Sequence, residues 1–207
     1  MSTLHGMKQV FGFSSELGAG SGQWTHFAPD RGFPVAACFV SCAIRGTVLD
    51  CTPVKEHHRT LLAAQGYSEL KMFDDALAEL AQLPEEARLD PGAMEMKVVI
   101  LTQAQRWEDA LASSLELCRL APAEPGGFIH AAFCLHGLGR SAEAKETLLN
   151  GPPSLEKEPT YHYNLACYEC VLGNHREARE YLERSIAMDK KFREFARTDP
   201  DLLALHR

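Results

Sequence analysis

PTYHYNLACYECVLGNHREAREYLERSIAMDKKF, residues 159–192, holds the pattern that decides the fold. Two amphipathic stretches, YHYNLACYECVL (161–172) and EAREYLERSIAM (177–188), flank a turn at Gly173-Asn174. A small residue sits in each, Ala166 and Ala178. Stepping back 34 residues at a time from Ala178 lands on Ala144, Ala110 and Ala76, and the same step from Ala166 lands on Ala132, Val98 and Ala64. Pro159, Pro125 and Pro91 keep the same spacing. Three registers with one period constitute an internal repeat.

Each unit supplies two helical stretches and a short turn. In the second unit these are MEMKVVILTQAQ (94–105), Gln105-Arg106 and EDALASSLELCRL (108–120); the third unit turns at Gly139-Arg140. Small residues at both registers let the paired helices approach to about 8–10 Å. Large apolar residues flank the crossing: Tyr67, Leu101 and Leu135 on first helices, Leu80, Leu148 and Leu182 on second helices. The prolines open first helices, where a missing N–H removes no intrahelical bond.

Period, small-residue registers and turn placement together resemble the tetratricopeptide repeat (TPR). The resemblance covers units 57–90, 91–124, 125–158 and 159–192 and implies an all-α fold. The expected architecture is a right-handed superhelical α-solenoid of four helix pairs plus a C-terminal capping helix. Departures from the family pattern are Glu169 at the tyrosine place of the fourth unit and Ser114 at a large-residue place of the second. Second helices in the first and third units should end early, at Leu83-Pro84 and Asn150-Gly-Pro-Pro153. The last stretch, KKFREFARTDPDLLALHR (190–207), carries Phe192, Phe195, Leu202 and Leu203 around Thr198-Asp199-Pro200. It is read as the cap over the apolar face that a terminal repeat exposes. Asp-Pro tails of this kind resemble those that close some bacterial repeat proteins.

Residues 1–54 differ from the repeat domain at 55–207. Seven of the fifteen glycines lie in residues 1–52, charges are sparse, and SSELGAGSGQ has linker composition, so little order is expected there. An overlong translation start is the competing explanation. Val35-Ala36-Ala37-Cys38 looks like a lipoprotein cleavage box, but the polar stretch before it lacks an apolar h-region, and a signal peptide is not expected.

A net charge of −7 argues against a nucleic-acid ligand, which needs a basic surface. No apolar run nears the ~20 residues that span a bilayer. Seven cysteines without framework spacing read as reduced thiols of a cytoplasmic protein.

The resemblance places the fifth, ninth and twelfth residues of each first helix on a concave surface. That surface comprises Leu61 and Gln65, Glu95 and Val99, Ile129, Phe133 and His136, and Tyr163, Cys167 and Cys170, with Ser68 and Thr102 completing the set. The expected function is a non-catalytic scaffold holding an unidentified protein or peptide in this groove, with no cofactor and no metal. Only Asn164 matches the Lys/Asn clamp by which some TPR proteins hold a C-terminal carboxylate, so an apolar or aromatic anchor on the ligand is expected instead. An alternative is metal- or thiol-dependent activity at Cys167, Cys170 and His136. Against it, Cys167-x-x-Cys170 lies in mid-helix with no preceding strand, and a closed zinc site lacks a second pair. Self-assembly through terminal repeats is a third reading.

Overall fold

The computed structural model describes residues 54–206, with side chains from His57 onward. The Gly-rich stretch, expected to lack order, and the apolar run at 35–44, excepted from that expectation, lie outside the described residues. Among the described residues there is helix and no strand. Four antiparallel pairs follow in order: α1 (Val54–Glu69) with α2 (Phe73–Ala81), α4 (Pro91–Gln103) with α5 (Trp107–Leu120), α6 (Pro125–Gly137) with α7 (Ser141–Leu149), and α8 (Pro159–Val171) with α9 (His175–Met188). Each second helix also packs on the next first helix, and α1, α4, α6 and α8 touch in succession, so the first helices form one continuous inner wall. This is an α-solenoid.

The repeated small residues sit where the helices cross. Ala76, Ala110, Ala144 and Ala178 are all fully buried, as are Ala64, Val98, Ala132 and Ala166. Pro91, Pro125 and Pro159 each open a first helix.

A further register becomes visible only in the backbone. Lys71, Gln105, Gly139 and Gly173, again 34 apart, all have positive φ, at 61°, 61°, 78° and 86°. Around each, the next amide bonds back to the helix: Met72 to Tyr67, Arg106 to Leu101, Arg140 to Leu135 and Asn174 to Glu169, at 2.8–2.9 Å. The positive-φ residue itself donates to Ser68, Thr102, His136 or Cys170. These paired bonds are the Schellman arrangement, which satisfies the orphan carbonyls of a helix end. One turn geometry is used four times, with or without glycine.

The early helix ends also occur. α2 and α7 are 9 residues long, against 14 for α5 and α9. The missing turns are replaced by α3 (Glu85–Arg88) and a 3-10 turn at Pro153–Lys157, beside which Leu83 and Leu155 are buried. After α9 the chain forms α10 (Phe192–Thr198) and a last 3-10 segment, Pro200–His206. Phe192, Ala196 and Leu202 are buried in the same core as the α8 residues Tyr163, Leu165 and Ala166. The tail therefore packs on the inner helix α8 as well as closing the end of the array.

Candidate functional site

The inner wall divides into two unlike halves. Over α1 and α4 it is open: a trough is lined by Gln65, Ser68, Glu69, Met96, Val99, Ile100 and Gln103. Met96, Val99 and Ile100 form a nearly buried floor. Polar side chains make the rim, where the Ser68 hydroxyl donates to Gln103 Oε1 at 3.1 Å and the Gln65 amide donates to Glu69 Oε1 at 3.1 Å. Leu61 lies midway along α1, half-buried against the core of the first unit. Glu95, on the same wall, faces the third unit, with its Oε1 3.3 Å from His130 Nε2.

Over α6 and α8 the wall is covered by the chain's own C-terminal segment. Tyr163 Oη donates to Asp199 Oδ2 at 2.7 Å, and Cys167 Sγ lies 3.7 Å from the same oxygen. The Asp201 amide donates to Asp199 Oδ1 at 3.0 Å. His136 bridges Ser141 and Asp201: Nδ1 is 2.9 Å from Ser141 Oγ, and Nε2–H donates to Asp201 Oδ2 at 2.9 Å. The ring of Tyr163 also meets that of Phe192, centroids 4.9 Å apart. Burial raises the Asp199 carboxyl, opposed by its hydrogen bonds from Tyr163 and the Asp201 amide.

The sequence-derived candidates thus fall into distinct settings. Leu61, Gln65, Glu95 and Val99 lie along the open half. Tyr163 and Cys167 are wholly buried beneath the tail, and His136 and Cys170 nearly so. Ile129 belongs to the core, while Phe133 packs edge-on against Trp107, centroids 5.7 Å apart. Gly137 permits that contact, because a Cβ there would stand 2.8 Å from the Trp107 ring. Asn164 is fully buried and makes no clamp on the wall. Asp199 and Asp201 are missing from the sequence-derived set, and the Asp-Pro-Asp string in the tail is the signal that points to them. Glu169, the departure at the tyrosine place, is buried and held by Lys145 Nζ at 2.7 Å and by the Asn174 amide at 2.7 Å. Ser114, the other departure, bonds to the Ala110 carbonyl at 2.8 Å.

Among the described residues the four thiols all stand above the ordinary range. Cys118 and Cys134 are pushed up to about 11 by burial, Cys170 is raised by burial, and Cys167 stands well above the ordinary thiol range for the same reason. Nucleophilic and metal-ligating cysteines need the opposite shift. The fold does not group Cys167, Cys170 and His136 on one another: Cys170 Sγ faces His175 Nδ1 at 3.8 Å, and His136 faces Ser141 and Asp201. Cys167, Asp199 and Asp201 do bring one ligand atom each within 4.8 Å of the others. Their oxygens already accept hydrogen bonds from Tyr163, His136 and the backbone, so the cluster is a satisfied buried network.

No family model and no curated protein match the chain. Solved structures do, two of MamA among them. The MamA RS-1 ArsTM double mutant superposes with a TM-score of 0.55 at 14% identity, covering 65% of this chain and 75% of that one. MamA MSR-1 C2 gives a TM-score of 0.53 at 17% identity, covering 64% and 76%. The chain has a TPR-like fold. At such identities the likeness carries architecture alone. Within this TPR-like array, the C-terminal segment occupies half of the inner wall. No helix of the described residues is long and apolar enough to cross a membrane.

Proposed function

We propose that this chain is a non-catalytic interaction scaffold that binds an extended segment of another protein along the inner faces of α1 and α4. The observation that carries the reading is the open trough over an apolar floor, beside a half already filled. Gln65, Ser68 and Gln103 offer the amide and hydroxyl groups that hydrogen-bond a peptide backbone, and Met96, Val99 and Ile100 offer an apolar seat for one side chain. The wall is built from packed helices, so little ordering entropy is lost on binding. Leu61 and Glu95 would meet the ends of such a ligand. The raised thiols and the hydrogen-bonded carboxylates of the described residues support binding rather than catalysis. Buried, protonated cysteines also support residence in the cytoplasm.

Affinity capture from the source cell tests the reading. Wild type should retain a partner that the Gln65→Ala/Gln103→Ala double variant loses and that Leu115→Ser, exposed on α5, keeps. Equal capture by both variants would move the working surface away from the trough.

A further inference from the structure

The covered half of the wall holds a peptide already, and its contacts define a recognition code. The segment runs from unit four toward unit three. Asp199 is seated against Tyr163 and Cys167 of α8, and Asp201 against His136 of α6. Leu202 enters the core with no exposed surface, while Leu203 points outward at 50% exposure. Every polar group of the seat is a donor: the Tyr163 hydroxyl, the Cys167 thiol and the His136 Nε2–H. The seat therefore reads two carboxylates separated by one residue, followed at once by an apolar side chain.

An extended joint marks the segment off from the helix before it. α10 ends at Thr198, and Asp199 has extended backbone at φ −74° and ψ 118°. Beyond that joint, residues 200–206 return to α10 through His206 Nε2, 2.9 Å from the Ala196 carbonyl. Phe192 and Ala196, which hold α10 in the core, lie before the joint and need not move.

We infer that the seat formed by His136, Tyr163 and Cys167 is the second half of the partner-binding groove, specific for an acidic Asp-x-Asp-Leu segment of another protein, and that residues 199–206 occupy it as a built-in competitor. The inference rests on the scaffold reading above. A second copy of the tail is the wrong occupant, because an identical free peptide competes against a tethered one whose effective concentration is in the millimolar range. The displacing chain needs contacts that the tail lacks. The trough over α1 and α4 supplies them, since it continues the same wall from the point where the tail stops at His136. A partner spanning both halves gains the trough and replaces the tail contact for contact.

A labelled peptide with the sequence of Arg197–Arg207 probes the seat by fluorescence anisotropy. The full chain carrying Asp199→Ala/Asp201→Ala/Leu202→Ala, whose own tail is detached, should bind it at least about ten-fold tighter than wild type does. Adding His136→Ala to that chain should remove the gain, and so should a peptide with both aspartates changed to asparagine. Equal binding to wild-type and detached-tail chains, or binding indifferent to His136 and the two carboxylates, overturns the inference. Should the detached-tail chain lose its helical circular dichroism, the peptide is titrated into wild type to ~10 mM while the amide signals of Asp201–Leu203 are followed. Displacement of those signals supports the competitor, and unchanged signals overturn it. Partner loss in the Gln65→Ala/Gln103→Ala variant is read separately, so a null result here with that loss intact removes the acidic code and leaves the scaffold standing.

Discussion

Asn164 sits on α8 with no exposed surface, and neither its amide oxygen nor its nitrogen has a hydrogen-bond partner. An unpaired buried amide costs about 1–3 kcal/mol, whereas an apolar side chain of similar shape carries no such cost. Asn164→Leu should therefore raise the Tm by a few degrees, at about 2–4 °C per kcal/mol for a domain of this size, as calorimetry would show. The thiols make a second prediction at this scale. Cys118 and Cys134 ionise near 11 in the fold against an ordinary value of 9.0. Below pH 9 both folded and unfolded thiols are protonated and the contribution is whole. Between 9 and 11 the unfolded thiols ionise first, so stability falls as pH rises. Denaturant midpoints across that window should drop, and Cys134→Ala should flatten the drop. The sequence showed that cysteine fills helix faces here. It could not show Asn164 stranded, because burial of a polar group depends on neighbours far along the chain.

Four turns join the paired helices. All four close with the same positive-φ residue and the same pair of backbone bonds, yet two of those residues are Lys71 and Gln105. A side chain in the left-handed region costs about 1 kcal/mol relative to glycine. Both are exposed, so nothing else is lost on replacement. Gln105→Gly should stabilise by about 0.5–1 kcal/mol, and Gly139→Ala should destabilise by about 1 kcal/mol, measured by urea unfolding. The alanine and proline registers made the hairpins legible because small side chains at crossings and proline at first positions are demanded by local geometry. The fourth register was half hidden, since Lys and Gln announce no left-handed turn. Helix shortening at Leu83-Pro84 and Asn150–Pro153 was readable from proline, but the compensating burial of Leu83 and Leu155 was not.

At the scale of the whole molecule, the account turns on what lies against the inner wall. The register that the resemblance implies puts Gln65 and Val99 on the inner wall, and both line the trough. It could not tell an inward residue that meets solvent from one covered by the chain's own end. Tyr163 and Asp199 are 36 residues apart, and His136 and Asp201 are 65 apart, outside any repeat register. Asp199 and Asp201 also look like ordinary exposed turn residues until the tail folds back. The same placement makes the cap and the groove one structure: the residues that close the array are those that fill half of its working face.

A nuclear Overhauser spectrum of the full chain tests this most directly. The account predicts cross-peaks between the rings of Tyr163 and Phe192, and between the His136 ring and the β-protons of Asp201. A folded, helical protein in which the Tyr163–Phe192 peaks are present but the His136–Asp201 peaks are absent would have its tail off the wall, and the division into a filled and an open half would be wrong.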